Sequence, residues 1–332
     1  MTGRWFALAV WAATVAAALV FWTLASSEST SCFRDAIDLA PGAEAPATCD
    51  EEAGEAVEQA LAERDDEAET ASALEGRSAL LVWMALYAAT AGVAAFSAVR
   101  SLALIVGLRP PLDRRFAGLV AGAAALVLLP LVLFRLLPEL ASERFGPFDG
   151  LHLEQLLLLN PIIGVLALFA AVGLVAVAHV VATRPALGLG ELARLGSTLG
   201  TLVGMLGAIL ALAVITTAAR WQAIGTLPGG ESVPSAVVLL WGAVFALALA
   251  ALYVPAHLRW AAATQLEIAA EIERQLPEVA TADGTPGYRA PELELRKELE
   301  ATLGVGGPLR SLQGSVSVLA PVIAAAVSSL FA

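Results

Sequence analysis

The sequence predicts an all-α fold, a polytopic bundle of about six transmembrane helices. Charged residues make up 15% of the chain and hydrophobic residues 58%, whereas a soluble protein usually carries about 25% charged residues. Several apolar runs also reach the roughly 20 residues that a helix needs to cross about 30 Å of hydrocarbon. Because the backbone in lipid must satisfy its own hydrogen bonds, these runs are expected to be helices. The lipid bilayer is therefore the first predicted partner of the chain.

Six apolar segments are predicted to span the membrane. They are Trp5–Leu24, Ala79–Val99, Phe116–Phe134, Leu156–Val181, Leu195–Thr217 and Ala236–Ala256. Leu24 to Ser27 is also a passable signal-peptidase site, but the first apolar run is longer than the usual core of a signal peptide. We therefore expect residues 1–24 to be an uncleaved signal anchor. Cleavage would leave five spans and an outside N-terminus.

The positive charges predict the orientation. Arg and Lys are enriched in cytoplasmic loops. With the N-terminus inside, the inner side holds thirteen of the 19 basic residues, and its two short loops hold six, from Arg100 to Arg194. All basic residues except Lys297 are arginine, a bias that suggests a GC-rich bacterial genome. We therefore predict a multi-pass protein of the bacterial cytoplasmic (inner) membrane with both termini in the cytoplasm.

Residues 25–78 form a predicted acidic extracytoplasmic loop. They contain fifteen acidic residues and three arginines, so this loop alone accounts for the formal net charge of −12. Such a block is repelled by nucleic acid and by anionic lipid headgroups, and it attracts cations or a basic partner. Nucleic acid is therefore excluded as a partner. Helical spacing of small and apolar residues predicts a helix over about 51–74 within this loop, and a continuous helix into the second span is the alternative to a separate one.

Both cysteines, Cys32 and Cys49, lie in the acidic loop. On the outer side of a bacterial membrane they face an oxidising compartment, where a disulfide persists. A bridge would close a loop of about 18 residues and contribute roughly 3 kcal/mol. A redox switch or a metal site is the alternative, although the pair lacks the further His and Cys ligands that a metal requires.

The predicted five-helix bundle over residues 79–258 contains little that carries chemistry. None of the spans has an Asp or Glu near its centre, and such residues mark proton and ion pathways. His179 and His257 are predicted at the inner ends of two spans, at a similar depth, and His179 is expected to form a hydrogen bond to a neighbour. If they met, they could in principle ligate a haem. No further residue supports that alternative, so no catalytic, cofactor-binding or metal residue is assigned, and no cofactor is predicted.

Three glycines predict close helix packing. Gly196, Gly200 and Gly204 recur every four residues in the fifth span. Glycines at this spacing let two membrane helices approach closely. The face could join neighbouring helices of one protomer, or it could join two copies of the chain in a homo-oligomer.

Residues 259–332 are predicted to form a cytoplasmic helical tail. A helix is expected to prolong the sixth span to about Leu276, and a Gly- and Pro-rich linker follows. The next predicted helix starts at Pro291 and carries the apolar stripe Leu295, Leu299 and Leu303. These leucines are expected to face other helices.

The last helix carries an apolar stripe with coiled-coil-like spacing. Its residues are Leu309, Leu312, Val316, Leu319 and Ile323. We expect this helix to dock on the underside of the membrane, on the other tail helices or on a second copy, and to bind a partner. The alternative is a seventh span over Ser315–Ala332. This span would be short, and it would contain Pro321.

Function is predicted only in outline. The chain contains no nucleotide-binding, nucleophile-elbow or zinc motif. We therefore expect a non-enzymatic scaffold, sensor or effector subunit that binds a membrane-associated partner through its helical tail. The alternative is a homo-oligomeric channel or transporter built on the Gly196, Gly200 and Gly204 face.

Overall fold

The computed structural model describes residues 3–26, 69–136, 154–184, 187–225, 235–275, 289–303 and 308–330. They form helices only, with no strand among the described residues. In chain order these are α1 (Gly3–Ala25), α2 (Glu69–Leu108), α3 (Arg114–Leu136), α4 (Glu154–Thr183), α5 (Leu189–Gly225), α6 (Ser235–Gln275), α7 (Arg289–Leu303) and α8 (Pro308–Leu330).

The predicted class, a helical membrane bundle, is confirmed. Five helices of the described chain, α1, α2, α4, α5 and α6, are long and apolar enough to cross a membrane. The expected number was about six. The remaining predicted span, Phe116–Phe134, lies in α3, whose side chains are described only as far as Leu128, so α3 is outside the count of five.

Two helices are much longer than the bilayer is thick. Helix α2 has 40 residues and α6 has 41, which at 1.5 Å per residue gives about 60 Å each. The hydrocarbon layer is about 30 Å thick. Both helices therefore project well beyond it, and the sixth predicted span continues without a break through Arg259 to Gln275.

Helix α2 occupies the middle of the bundle, between α1 on one side and α4 and α5 on the other. A Cβ built on Gly92 would lie 3.1 Å from the carbonyl oxygen of Ala13, and the ring of Phe96 meets that of Phe6 edge-on. The interior side packs against a core from α4 and α5 that includes Leu174, Val177, Leu202 and Leu206.

Helix α7 packs on the ends of α5 and α6. Ile268, Ile272 and Leu303 are buried together, with Leu295 and Leu299 beside them, and Leu189 and Ala193 at the start of α5 complete the cluster. The leucine stripe predicted for this helix is therefore the face that it buries. Because α5 and α6 continue into the membrane, α7 is fixed to the spans themselves.

Helix α8 lies lengthwise along α5 and α6, which differs from docking on the underside of the membrane or on the other tail helices. A Cβ built on Gly207 would be 2.5 Å from the carbonyl oxygen of Ser317, and one built on Gly242 would be 2.7 Å from that of Pro321. Ala324 and Ala325 are buried against Val214 and Val238. The small residues of α8, and not its apolar stripe, form the contact, because only they allow the backbones to approach this closely.

Candidate functional site, a polar seam between three helices

A line of hydroxyl groups runs along the interior face of α2, and we call Tyr87, Thr90, Ser97 and Ser101 the polar seam. All four are buried. They follow each other at heptad-like intervals, with Ala94 between Thr90 and Ser97. At about 100° per residue, all of them lie within about 40° of the line opposite Gly92, which faces α1. The polar seam therefore faces α4 and α5.

The first contact of the polar seam joins α2 to α4. The Tyr87 hydroxyl donates to the side-chain carbonyl oxygen of Asn160. The next residue of α4 is Pro161, which lies inside the helix. A tyrosine buried in a bundle usually requires such a partner, because its hydroxyl loses water when the ring is buried. This bond fixes the polar seam to α4.

The second contact joins α2 to α5. The hydroxyls of Thr90 and Thr216 are 3.0 Å apart and both are buried. Thr90 also donates to the carbonyl oxygen of Leu86 at 2.8 Å. Since a hydroxyl carries one hydrogen, Thr216 must be the donor between the two threonines. The polar seam is thus hydrogen-bonded to two neighbouring helices in its first half.

The second half of the polar seam has no such partners. No described protein atom accepts from or donates to the hydroxyls of Ser97 and Ser101, which are 1% and 0% exposed. Threonines in the bundle, such as Thr198 and Thr264, donate instead to the carbonyl four residues earlier. A buried hydroxyl without a partner costs about 1–3 kcal/mol. These two hydroxyls are two of the three buried side-chain polar atoms without a hydrogen-bond partner among the described residues, and Nε2 of His179 is the third.

A second polar group lies at the end of the bundle where α2 and α4 end and α3 and α5 begin. We call it the arginine-rich end, because it holds Arg100, Arg109, Arg114, Arg184 and Arg194. Asp113 caps α3 by accepting from the Phe116 backbone N–H at 2.7 Å. The same carboxylate oxygen is 3.4 Å from Nε2 of the buried His179, whose ring lies beside that of Phe116. Arg184 donates to the carbonyl oxygen of Leu108 at 2.6 Å. These contacts join the helix ends to one another.

The two histidines singled out in the sequence occupy different surroundings. His257 stacks on Tyr253 and lies next to Trp260, whereas His179 contacts Phe116 and Asp113. No described contact joins the two rings, and the described residues contain no cluster of three or more His, Cys, Asp or Glu side chains that could hold a metal ion. The haem alternative thus gains no support from the contacts of either ring.

The three glycines of α5 face different environments. Gly196 packs against the ring of Trp260, which donates its indole N–H to the carbonyl oxygen of Leu192 at 2.8 Å. No described atom lies within 4 Å of a Cβ built on Gly200 or Gly204. Gly196 thus contacts α6 within the protomer, while a contact of the other two with a second copy stays a prediction.

The apolar stripe of the last helix points away from α5 and α6. Val316, Leu319 and Ile323 are each about half exposed. Leu309 and Leu312 belong to α8, but their side chains lie outside the described residues. The stripe is available to lipid or to a partner, and partner binding by this stripe stays a prediction.

The predicted acidic loop lies largely outside the described residues, which resume at Glu69. Cys32 and Cys49 fall in this part of the chain, so their disulfide stays a prediction. The same holds for residues 51–68 of the predicted helix over 51–74. From residue 69 the chain is helical and continuous with the second span.

The polar seam was missed at the level of the sequence although its signal is present there. Four polar residues at heptad-like intervals in an otherwise apolar helix lie on one face, and a test for helical periodicity of Ser, Thr and Tyr finds them. The candidate functional residues predicted from the sequence are instead charged residues and histidines, of which the spans have few. Thr216 and Asn160 carry no such pattern, because only the packing of three helices brings them to the seam.

The comparisons with known proteins give no relative for this bundle: no family model, no curated protein and no solved structure matches the chain. The class that the fold defines is a multi-pass helical membrane protein, and function has to be argued from its own residues.

Proposed function

We propose that the chain is a non-enzymatic subunit of an assembly in the bacterial cytoplasmic membrane, acting as a scaffold, sensor or effector that binds a partner protein. The binding element is the cytoplasmic helix pair, by which we mean α6 beyond Arg259 together with α7. One observation carries the proposal. The buried cluster of Ile268, Ile272 and Leu303 fixes α7 to helices that continue as spans.

This attachment favours coupling between the bundle and a bound partner. A domain on a flexible linker moves independently of the membrane. The helix pair instead shares α5 and α6 with the bundle, so a shift of either helix must move α7 as well. Coupling across a membrane requires such a contiguous element.

The orientation in the proposal follows the positive charges. The arginine-rich end holds five arginines, and the positive-inside rule therefore assigns it to the cytoplasm. They are Arg100, Arg109, Arg114, Arg184 and Arg194. The start of α1 and the helix pair lie on that side. The acidic loop then lies outside the cytoplasm.

The C-terminus is assigned to the outer side, which revises the expectation that both termini are cytoplasmic. Helix α8 meets Gly207 of α5 at Ser317, and seven residues later Ala324 is buried in a cluster with Val214 of α5. It therefore runs parallel to α5. We accordingly treat α8 as an additional span that starts in the cytoplasm at Pro308.

The helix pair offers exposed apolar side chains to a partner. Leu266 is 74% exposed and Leu293 is 53% exposed. Leu266 is ten residues beyond the predicted end of the sixth span, about 15 Å along the helix, and has Glu267, Glu271 and Arg274 nearby in the chain. In that position the leucine faces water and not lipid.

The test is co-purification of the full-length protein from its native membrane in a mild detergent. We expect a second protein in a fixed ratio with the wild type, and its loss from the double variant Leu266→Ser, Leu293→Ser. Leu112→Ser is the matched control, because Leu112 is also exposed at the arginine-rich end but lies outside the helix pair. The control should retain the partner. A wild-type preparation that contains only this chain contradicts the proposal.

A homo-oligomeric channel or transporter is the second candidate function. The observation in its favour is that no described atom fills the space beside Gly200 and Gly204, which leaves a face of α5 on which a second copy could pack closely. Gly200→Leu should lower the mass of the detergent-solubilised complex to that of one chain. An unchanged mass contradicts this candidate.

A further inference from the structure

We propose that the polar seam is a passage for water and small uncharged polyols between α2, α4 and α5, with Ser97 and Ser101 as the groups that bind the solute. This inference does not depend on the partner protein, because the polar seam lies inside one chain.

The direction of the polar seam supports a passage. Tyr87 and Ser101 are fourteen residues apart on one helix face, about 21 Å along the axis. This distance is most of the hydrocarbon thickness of about 30 Å. Apolar side chains would suffice to pack α2 against α4 and α5. Hydroxyls repeated along the depth of the membrane instead provide successive hydrogen-bonding positions.

The unpaired serines indicate the chemistry of the solute. Each hydroxyl has one donor and two acceptor positions, and the described protein satisfies none of them at Ser97 and Ser101. A group that both donates and accepts, such as water or an alcohol hydroxyl, meets this requirement. The two serines are one turn apart, so they can contact the same solute or two adjacent ones.

The solute is expected to be uncharged. Tyr87, Asn160, Thr90 and Thr216 are neutral, as are the two serines. A bare ion loses a large hydration free energy in a low-dielectric interior unless charged groups or a ring of several oxygen atoms replace the water. Polyols and water lose much less, and hydroxyl groups can replace most of what they lose.

Ala94 is the apolar position within the polar seam. It takes the heptad position between Thr90 and Ser97 and is fully buried within the core between α2, α4 and α5. Its methyl group offers no hydrogen bond. A solute that crosses from the Thr90–Thr216 pair to Ser97 must pass this residue, and a hydroxyl here would close the gap in the row of hydrogen-bonding groups.

The experiment measures glycerol entry into proteoliposomes that contain the full-length protein, by stopped-flow light scattering under an osmotic gradient. Wild-type vesicles should admit glycerol several-fold faster than protein-free vesicles. The double variant Ser97→Ala, Ser101→Ala should fall towards the protein-free rate. Thr14→Val is the matched control, since Thr14 is exposed on α1 and bonds to its own helix, and it should behave as the wild type.

A gain of flux separates this proposal from loss of folding. Ala94→Ser adds a hydroxyl at the one apolar position of the row at little cost in volume, and it should raise the glycerol rate above that of the wild type. A wild-type rate equal to that of protein-free vesicles overturns the proposal. So does a double serine variant that conducts glycerol as fast as the wild type, because the hydroxyls would then serve packing alone. Partner co-purification is measured separately and can succeed or fail independently.

Discussion

The carbonyl oxygen of Ser317 in α8 lies directly against Gly207 of α5. Pro321 stands four residues after Ser317 inside the same helix, and proline has no N–H to donate to that carbonyl. The freed oxygen therefore points at the one residue type that leaves room for it, and a Cα–H···O contact can compensate for part of the lost hydrogen bond. In the sequence, Pro321 counted against a membrane span. In the structure it frees the Ser317 carbonyl oxygen that contacts Gly207, and so contributes to the packing of α8 on α5.

This contact predicts that Gly207→Ala destabilises the protein. The new Cβ would be 2.5 Å from a backbone oxygen, so the helices must separate, at a cost of about 1–3 kcal/mol. Gly118→Ala in α3 is the control, because no described atom lies within 4 Å of a Cβ built there and alanine favours a helix by about 1 kcal/mol. Thermal unfolding in detergent should therefore show a lower Tm for Gly207→Ala only. Equal Tm values for the two variants would contradict close docking of α8.

The placement of α8 also predicts the location of the C-terminus. A reporter that is active only outside the cytoplasm, fused after Ala332, should be active in cells. The same reporter inserted between α6 and α7, in the linker 276–288, should be inactive. Inactivity of the reporter at both sites would place the linker and the C-terminus together in the cytoplasm, and would contradict the assignment of α8 as a span.

The cap of α3 predicts different effects for two substitutions of Asp113. Asp113→Ala removes the acceptor of the Phe116 N–H and should lower the free energy of unfolding by about 1 kcal/mol. Asp113→Asn keeps an acceptor at the same position and should be close to the wild type, since asparagine caps helices as well as aspartate does. Chemical unfolding in detergent separates the two. If Asp113→Asn is as unstable as Asp113→Ala, the charge next to His179 matters more than the cap.

The packing of the helix pair predicts the effect of Ile268→Ala. Ile268 is fully buried between α6, α7 and the start of α5, and truncation of a buried isoleucine costs about 2–5 kcal/mol. Helix α7 should then detach, and its amide hydrogens should exchange much faster. Leu266→Ala on the exposed face of the same helix should leave the exchange unchanged. Slow exchange in Ile268→Ala would show that other contacts hold α7.

The contact of Gly196 with Trp260 predicts a smaller effect of Trp260→Phe. The substitution removes the indole donor to the Leu192 carbonyl oxygen, and one hydrogen bond contributes about 0.5–1.5 kcal/mol. Loss of ring volume beside Gly196 adds to this. The variant should unfold at a lower temperature than the wild type, while Trp22→Phe on the exposed face of α1 should not.

Much of the architecture could be predicted from local patterns alone. Apolar length identified the spans around Trp5–Leu24 and Ala79–Val99, because a helix in lipid depends mainly on its own hydropathy. The leucine stripe of α7 was found in the same way, from spacing within one helix. The candidate site was not predicted. The burial of Ser97 and Ser101 and their lack of hydrogen-bond partners become visible only when α4 and α5 are packed against α2.

Hydropathy and helical periodicity suffice to predict a helical membrane bundle, the positions of its helices along the chain and the apolar faces of those helices. These properties depend on residues close together in the chain. Three other features emerge only from the packed bundle: α8 lies along the spans, Thr90 meets Thr216, and His179 and His257 have separate surroundings. Each of these depends on the close approach of helices distant in the chain, which is set by how small residues such as Gly207 and Gly242 fit their neighbours.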